Sequence, residues 1–208
     1  TLYASWIELG SVPEYPINDW YILKAYVESK PGYESVDAYI TGTLNAYQTL
    51  PLQCPVNIIA VNSATLLRQS NFNDSMIKNE YVLTLEGITL DGNNIENVSP
   101  LIESSANLTL NNCTLQNNKT SGNGGAVYVD DGCTFEMTNS IIHYNTAVKG
   151  AGVYVASNGI FNMNNGTISH NAATSSREAS LGGGVYVDAN GTFNMKDGSI
   201  INNSVNYT

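Results

Sequence analysis

The chain has 208 residues, enough for one domain with a sizeable core, or for two. Eighteen acidic against eight basic side chains leave a net charge of −10, which argues against nucleic acid or an anionic membrane as a partner, because nothing would offset phosphate charge. Charged residues are only 12% of the chain, about half the usual share; 42% hydrophobic content and 13 Tyr argue against disorder, and no apolar run approaches a membrane span. Asn and Gly stand where charge would be expected.

In chain order, the first predicted element is a helix. Asn18 or Asp19 is placed to cap it, Trp20, Leu23 and Val27 fall on one face, and Pro31-Gly32 ends it. Next, Val36–Ile40 and Val56–Val61 alternate as strands do. From Leu83 onward the chain repeats itself. Gly124-Gly-Ala-Val-Tyr-Val129 returns as Gly150-Ala-Gly-Val-Tyr-Val155 and as Gly182-Gly-Gly-Val-Tyr-Val187. At a fixed distance after the first Val of each comes Phe135, Phe161 or Phe193, followed two positions on by Met137, Met163 or Met195. Each Phe opens a frame with Ile at position eight and Asn at position eleven: Ile142 and Asn145, Ile168 and Asn171, Ile200 and Asn203. With Leu for Phe the frame extends back to Leu108, Leu115 and Asn118, and to Leu83, Leu90 and Asn93. The openings at Leu83, Leu108, Phe135 and Phe161 are almost evenly spaced, and the step from Phe161 to Phe193 is longer.

Within each unit the period is two, so each supplies three short strands with Gly, Asn and Asp clusters at the corners. Like strands returning once per unit fit a chain that winds helically and pairs each strand with its copy one coil later. The expected fold is therefore all-β: a right-handed, single-stranded parallel β-helix over 36–208 of about six to seven coils, with a capping helix within 9–35. Like residues should stack on like, including Asn145 on Asn171 as an amide ladder. The helix should cover one apolar end and block edge pairing. The sequence stops in mid-coil near Ile200–Ser204, so further coils are expected after it.

Three Cys, at 54, 113 and 133, form no CxxC pair, and His143 and His170 fall at different offsets of their frames. No disulfide framework, metal site or cofactor is expected, and the thiols read as small apolar fillers. No catalytic residue is expected either. Arg68 and Arg177, the two arginines, do not sit on repeat strands beside carboxylates, as a lyase would need. Asp130-Asp131 lies in one turn, where neighbouring carboxylates point apart, and Asp188 recurs at the first of the two positions two coils later. Matches to the N-x-S/T pattern, such as Asn112-Cys-Thr114, follow from the Asn content. Two features are candidates for ligand binding. Tyr128, Tyr154 and Tyr186 alternate with inward Val residues and should form an outward aromatic stripe, either a platform for sugar rings or a partner chain, or cross-strand pairs that stabilise the sheet. The corner loop between Asn171 and Gly182 accounts for the longer step and carries Arg177 and Glu178; insertions in solenoids often bind, and are also tolerated as neutral drift.

These motifs resemble the repeats of bacterial cell-surface β-helix proteins, including polymorphic outer-membrane protein repeats, which are marked by GGA followed by Ile, Leu or Val and by FxxN. Gly124-Gly-Ala-Val127 matches the first and Phe161-Asn-Met-Asn164 the second. The other two glycine motifs read GAGV and GGGV, and Phe135 and Phe193 lack the Asn three positions on. Thr1-Leu-Tyr-Ala-Ser-Trp6 resembles the closing strand of a Listeria–Bacteroides repeat, so 1–8 would be the tail of a preceding small module. The resemblance implies an exported, modular surface protein: an adhesin-like or stalk-like rod presenting one face to surface glycans or to proteins of a host or neighbouring cell. It leaves open a carbohydrate-active enzyme with its active site in other coils, and a purely structural spacer.

Overall fold

A computed structural model describes residues 16–30, 35–96, 98–175 and 179–207. After the helix Trp20–Glu28 the regular elements are strands, and every strand pairing among the described residues is parallel, each strand lying beside its copy one coil away. The expected parallel β-helix with an N-terminal capping helix is what forms.

Three sheets wrap the core: one of eleven strands, one of six and one of three. In the first coils the strands are longer than the sequence suggests. Val36–Ala46, Val56–Arg68 and Leu83–Asp91 each run through two columns of the large sheet. The ladder shifts register between Ile40 and Gly42 and between Ile59 and Ala64, where Gly42 (φ 69°) and Asn62 (φ 68°) take the left-handed conformation. Later coils break at the same place into pairs such as Thr134–Thr138 and Ser140–His143.

Like residues meet in register. Leu108, Phe135, Phe161 and Phe193 form one inward column, with Phe135 and Phe161 stacked at 4.6 Å and 7°. Leu110, Met137 and Met163 form another, and Leu115, Ile142 and Ile168 a third; all of these apart from Phe193 are fully buried. Each buried Leu, Ile, Phe or Met side chain contributes about 1.5–3 kcal/mol from area alone. At the N-terminal end the helix lays Trp20, Leu23 and Val27 onto the first coil. Asp19 is its cap and accepts from the Tyr21 and Ile22 N–H groups at 2.8 and 3.2 Å. Tyr26 donates its hydroxyl to the Asp37 carbonyl. Pro31-Gly32, expected to end this helix, lies outside the described residues, as do Thr1–Trp6.

The expected amide ladder is present. Asn118 donates its backbone N–H to Asn145 Oδ1 (3.1 Å); Asn145 donates its backbone N–H and Nδ2 to Asn171 Oδ1 (both 3.0 Å). Asn171 does the same to Asn203 Oδ1 (2.9 and 3.0 Å), and the remaining Nδ2 protons go to carbonyls of Leu115, Ile142, His143 and Ile168. At the end of the ladder Asn118 Oδ1 is buried without a hydrogen-bond partner among the described residues. Asn93, which opens the same column in the sequence, is an exposed left-handed turn residue instead. The corner it should have filled is taken by the guanidinium of Arg68, wholly buried at the end of its strand. It donates to the carbonyls of Phe72, Asp74, Ser99 and Pro100, and Asn118 Nδ2 shares the Ser99 carbonyl. Burial pulls Arg68 down to about 10, so it stays charged at neutral pH.

The segment after Asn171, expected as loop, begins as strand Ala172–Ser175, which pairs with Thr146–Ala147 and with Ser204–Tyr207. Its small residues pack closely enough to add a third narrow sheet.

Because each rung satisfies the next, Asn171→Ala strands the Asn145 backbone N–H and one of its Nδ2 protons in a buried corner. The expected loss is about 1–3 kcal/mol, read as a lower midpoint in urea unfolding with the β-sheet circular dichroism of the native state retained.

Candidate functional site

The six-stranded sheet carries the residues of interest on its outer surface. Its strands are short, with first and third side chains inward, as in Val127–Val129. Register pairs Lys78 with Glu103, Glu103 with Tyr128, Tyr128 with Tyr154 and Tyr154 with Tyr186. The outer column therefore reads Lys, Glu, Tyr, Tyr, Tyr along the solenoid axis. The glycine turn before each Val-Tyr-Val strand sets it in place. Gly150 has φ 58°, and a Cβ there would lie 2.4 Å from the Val153 carbonyl oxygen and 2.8 Å from Tyr154 Cα.

The three tyrosines stack face to face. Tyr128 and Tyr154 have centroids 5.0 Å apart and planes within 9°; Tyr154 and Tyr186 are 5.3 Å apart at 19°. Stacking covers both faces of Tyr154, which is only 6% exposed although it lies on the outer side of its strand. Its hydroxyl donates to Asp188 Oδ2 at 2.7 Å. Burial first, and then that hydrogen bond to a carboxylate, hold the Tyr154 phenol well above the usual range. Reciprocally, the Tyr154 hydroxyl, together with the Ala189 N–H, holds the Asp188 carboxyl below its ordinary value. Lys149 Nζ lies 5.7 Å from the centre of the Tyr186 ring.

An aromatic stack leaves two faces free, one at each end. The face of Tyr128 turned away from Tyr154 is on the Glu103 side, and there the surface opens into a groove of about 520 Å³ lined by Glu103, Tyr128 and Asp130 and by Thr120, Ser121 and Asn123. Glu103 Oε2 is 3.6 Å from Lys78 Nζ and accepts from the Ser75 hydroxyl at 3.3 Å; Lys78 is nearer still to Asp74, at 3.0 Å. Asp130 accepts from the Asp131 N–H and from the Ser105 hydroxyl. Burial, then the charges of Asp130, Glu103 and Asp188, raise the Tyr128 phenol above its usual range.

The aromatic stripe is thus brought together, and its continuation through Glu103 and Lys78 is what the sequence reading misses. Asp130 and Asp131 part as expected, Asp131 accepting from Asn158 on the next coil while Asp130 faces the groove. Arg177 and Glu178 lie outside the described residues. His143 and His170 do sit in different columns, yet they flank the ring of Tyr144, at 4.7 and 5.2 Å. Gln116 donates to Asp91 and presents Oε1 to His143 Nε2 at 2.8 Å, so the neutral ring carries its proton on Nε2. Burial, and then His170, lower the His143 value. The three Cys are unpaired; burial pushes Cys113 up to about 11, which keeps it a thiol. Among the described residues no three His, Cys, Asp or Glu side chains gather as a metal site would require.

With coil-on-coil pairing and the buried ladder in view, the comparison with known families is decisive. A family model described as right-handed β-helix region matches residues 56–207. The chain belongs to that family. No curated protein and no solved structure matches it.

The Tyr154–Asp188 contact has a definite pH signature. The Asp188 value is depressed in the folded β-helix, so its contribution is present above the ordinary value near 3.8 and is lost as pH falls through the lower folded value. The carboxyl carbon resonance of Asp188 should titrate below 3.8. In Tyr154→Phe the midpoint should move back up, part of the way, because the Ala189 N–H remains.

Proposed function

We propose that this β-helix is a non-catalytic binding module of an exported surface protein, and that it takes a glycan in the groove at the Tyr128 end of the tyrosine stack. The observation that carries the reading is the free face of Tyr128 forming one wall of an open groove of about 520 Å³, within the usual range for small-ligand sites. Sugar rings bind by laying their C–H face on an aromatic ring while their hydroxyls meet side-chain donors and acceptors. The groove offers that combination: one phenol face, two carboxylates, and the side chains of Thr120, Ser121 and Asn123. The stripe itself is less suited, because stacking has already covered the faces of Tyr154.

A non-catalytic role is supported by how the two groove carboxylates are engaged. Glu103 accepts from Ser75 and lies beside Lys78, and Asp130 caps its own turn and accepts from Ser105. The Asn- and Gly-rich composition, the tandem coils and the resemblance to bacterial surface repeats support export and display at a cell surface.

Glycan-array screening followed by titration calorimetry tests the reading. Tyr128→Ala should weaken binding about fivefold or more, from the loss of about 1 kcal/mol or more of ring contact. Tyr154→Phe keeps the ring and should leave affinity unchanged. Retained affinity in a well-folded Tyr128→Ala variant would overturn the assignment of the groove.

A further inference from the structure

Which glycan the groove suits can be read from its charge. Resting on the glycan-binding reading above, we infer that the ligand carries a free amino group, as an unacetylated hexosamine does, with the ammonium held between Glu103 and Asp130 at the open face of Tyr128. Three observations converge. First, the groove is bordered by two carboxylates, Glu103 and Asp130, and among the described residues no lysine or arginine borders it.

Second, the nearby cations do not offset the acidic groups. Lys78 is divided between Asp74 at 3.0 Å and Glu103 at 3.6 Å, so one ammonium faces two carboxylates before Asp130 is counted. Lys119 is paired with Glu96 at 3.3 Å. Lys149 pairs through its backbone with the groove residue Asn123 but carries its Nζ to the Tyr186 ring, 5.7 Å from its centre. The local field is therefore negative, which repels an acidic polysaccharide and attracts an amine.

Third, the exposed π-face of Tyr128 adds attraction for a cation. The ring presents its negative quadrupole to whatever occupies the groove, and its other face is closed by Tyr154 at 5.0 Å. An aromatic face with a carboxylate on either side suits an ammonium attached to an apolar ring carbon. The hydroxyl and amide side chains of Thr120, Ser121 and Asn123 then suit the sugar's own hydroxyls. That polar side of the groove favours a sugar over a lysine side chain, because the ring of Tyr128, Val98 and Pro100 are its only apolar lining among the described residues and the rest would meet a methylene stem with polar groups.

The test uses the full chain and four probes of equal length in titration calorimetry at low salt and mildly acidic pH: a glucosamine tetramer, an N-acetylglucosamine tetramer, a neutral glucose tetramer and tetralysine. The expected result is that the glucosamine tetramer binds about tenfold more tightly than either uncharged tetramer. That preference should shrink as salt is raised. Glu103→Gln and Asp130→Asn should each remove severalfold of it, weakening the glucosamine tetramer more than either neutral tetramer. Unchanged circular dichroism would show that both variants fold. Equal affinity for the three sugar tetramers, unaffected by Glu103→Gln, would overturn the amine assignment and leave the glycan reading standing. Tetralysine binding as tightly as the glucosamine tetramer would overturn both, making the groove a peptide site. No binding by any probe would also overturn both.

Discussion

In a coil that pairs in parallel with its own copy, the atom next to any side chain is the same atom of the same kind of side chain, about 4.8 Å away. Everything else in this molecule follows from that repetition. A polar side chain buried at the same place in successive coils can be satisfied by its own copies, and asparagine suits this because its amide both donates and accepts. Asn145 and Asn171 each give two protons to the next Oδ1, one from the backbone and one from the amide, and spend the remaining amide proton on a carbonyl of their own corner or of the coil before. A buried serine or aspartate could not close that cycle. Aromatic rings obey the same constraint by stacking, and phenylalanine does so inside while tyrosine does so outside.

A column that repeats must also stop, and its ends are where the chemistry becomes particular. The amide ladder stops at Asn118, and one coil further a guanidinium fills the corner. Arg68 has enough donors to satisfy four carbonyls that asparagine would leave to others, at the cost of burying a charge that bonds to carbonyls and, among the described residues, to no carboxylate. The tyrosine stack stops at Tyr128, and the next position holds Glu103, which has no ring to continue the stack. One termination closes a gap inside the core. The other opens a groove on the surface.

The repeat explains which parts are legible in the sequence. Inward columns are constrained by stacking, so Phe135, Phe161 and Phe193, or Ile142 and Ile168, announce their register by identity and spacing alone. Outer columns are constrained only where rings stack. Tyr128, Tyr154 and Tyr186 are therefore readable as a stripe, whereas Ile77-Lys78-Asn79 and Ile102-Glu103-Ser104 carry no glycine turn or repeated outer residue to mark them as the same strand. The usable signal is the in-out-in alternation of Ile102-Glu103-Ser104, one repeat unit before Val127-Tyr128-Val129. Asn93 misleads for a related reason. It keeps the spacing of the ladder, but with Arg68 already in the corner the chain turns out through Asn93 and Asn94, both left-handed and exposed.

The outer stripe also shows why a periodic surface is a poor recognition site until it is interrupted. Three identical rungs offer a ligand three equivalent registers, and stacking hides the ring faces that would bind it. Replacing one rung by glutamate does three things together. It exposes the last ring face, it sets a charge beside that face, and it makes the position unlike every other along the axis. Lys78, one coil further out, then limits how far the negative field extends, because it is shared between Glu103 and Asp74. On the proposed reading, the carboxylates of Glu103 and Asp130 would take a ligand's amine and Thr120, Ser121 and Asn123 its hydroxyls. Specificity in such a rod therefore lies in the boundary between two kinds of rung, and one outward side chain per coil is enough to set it.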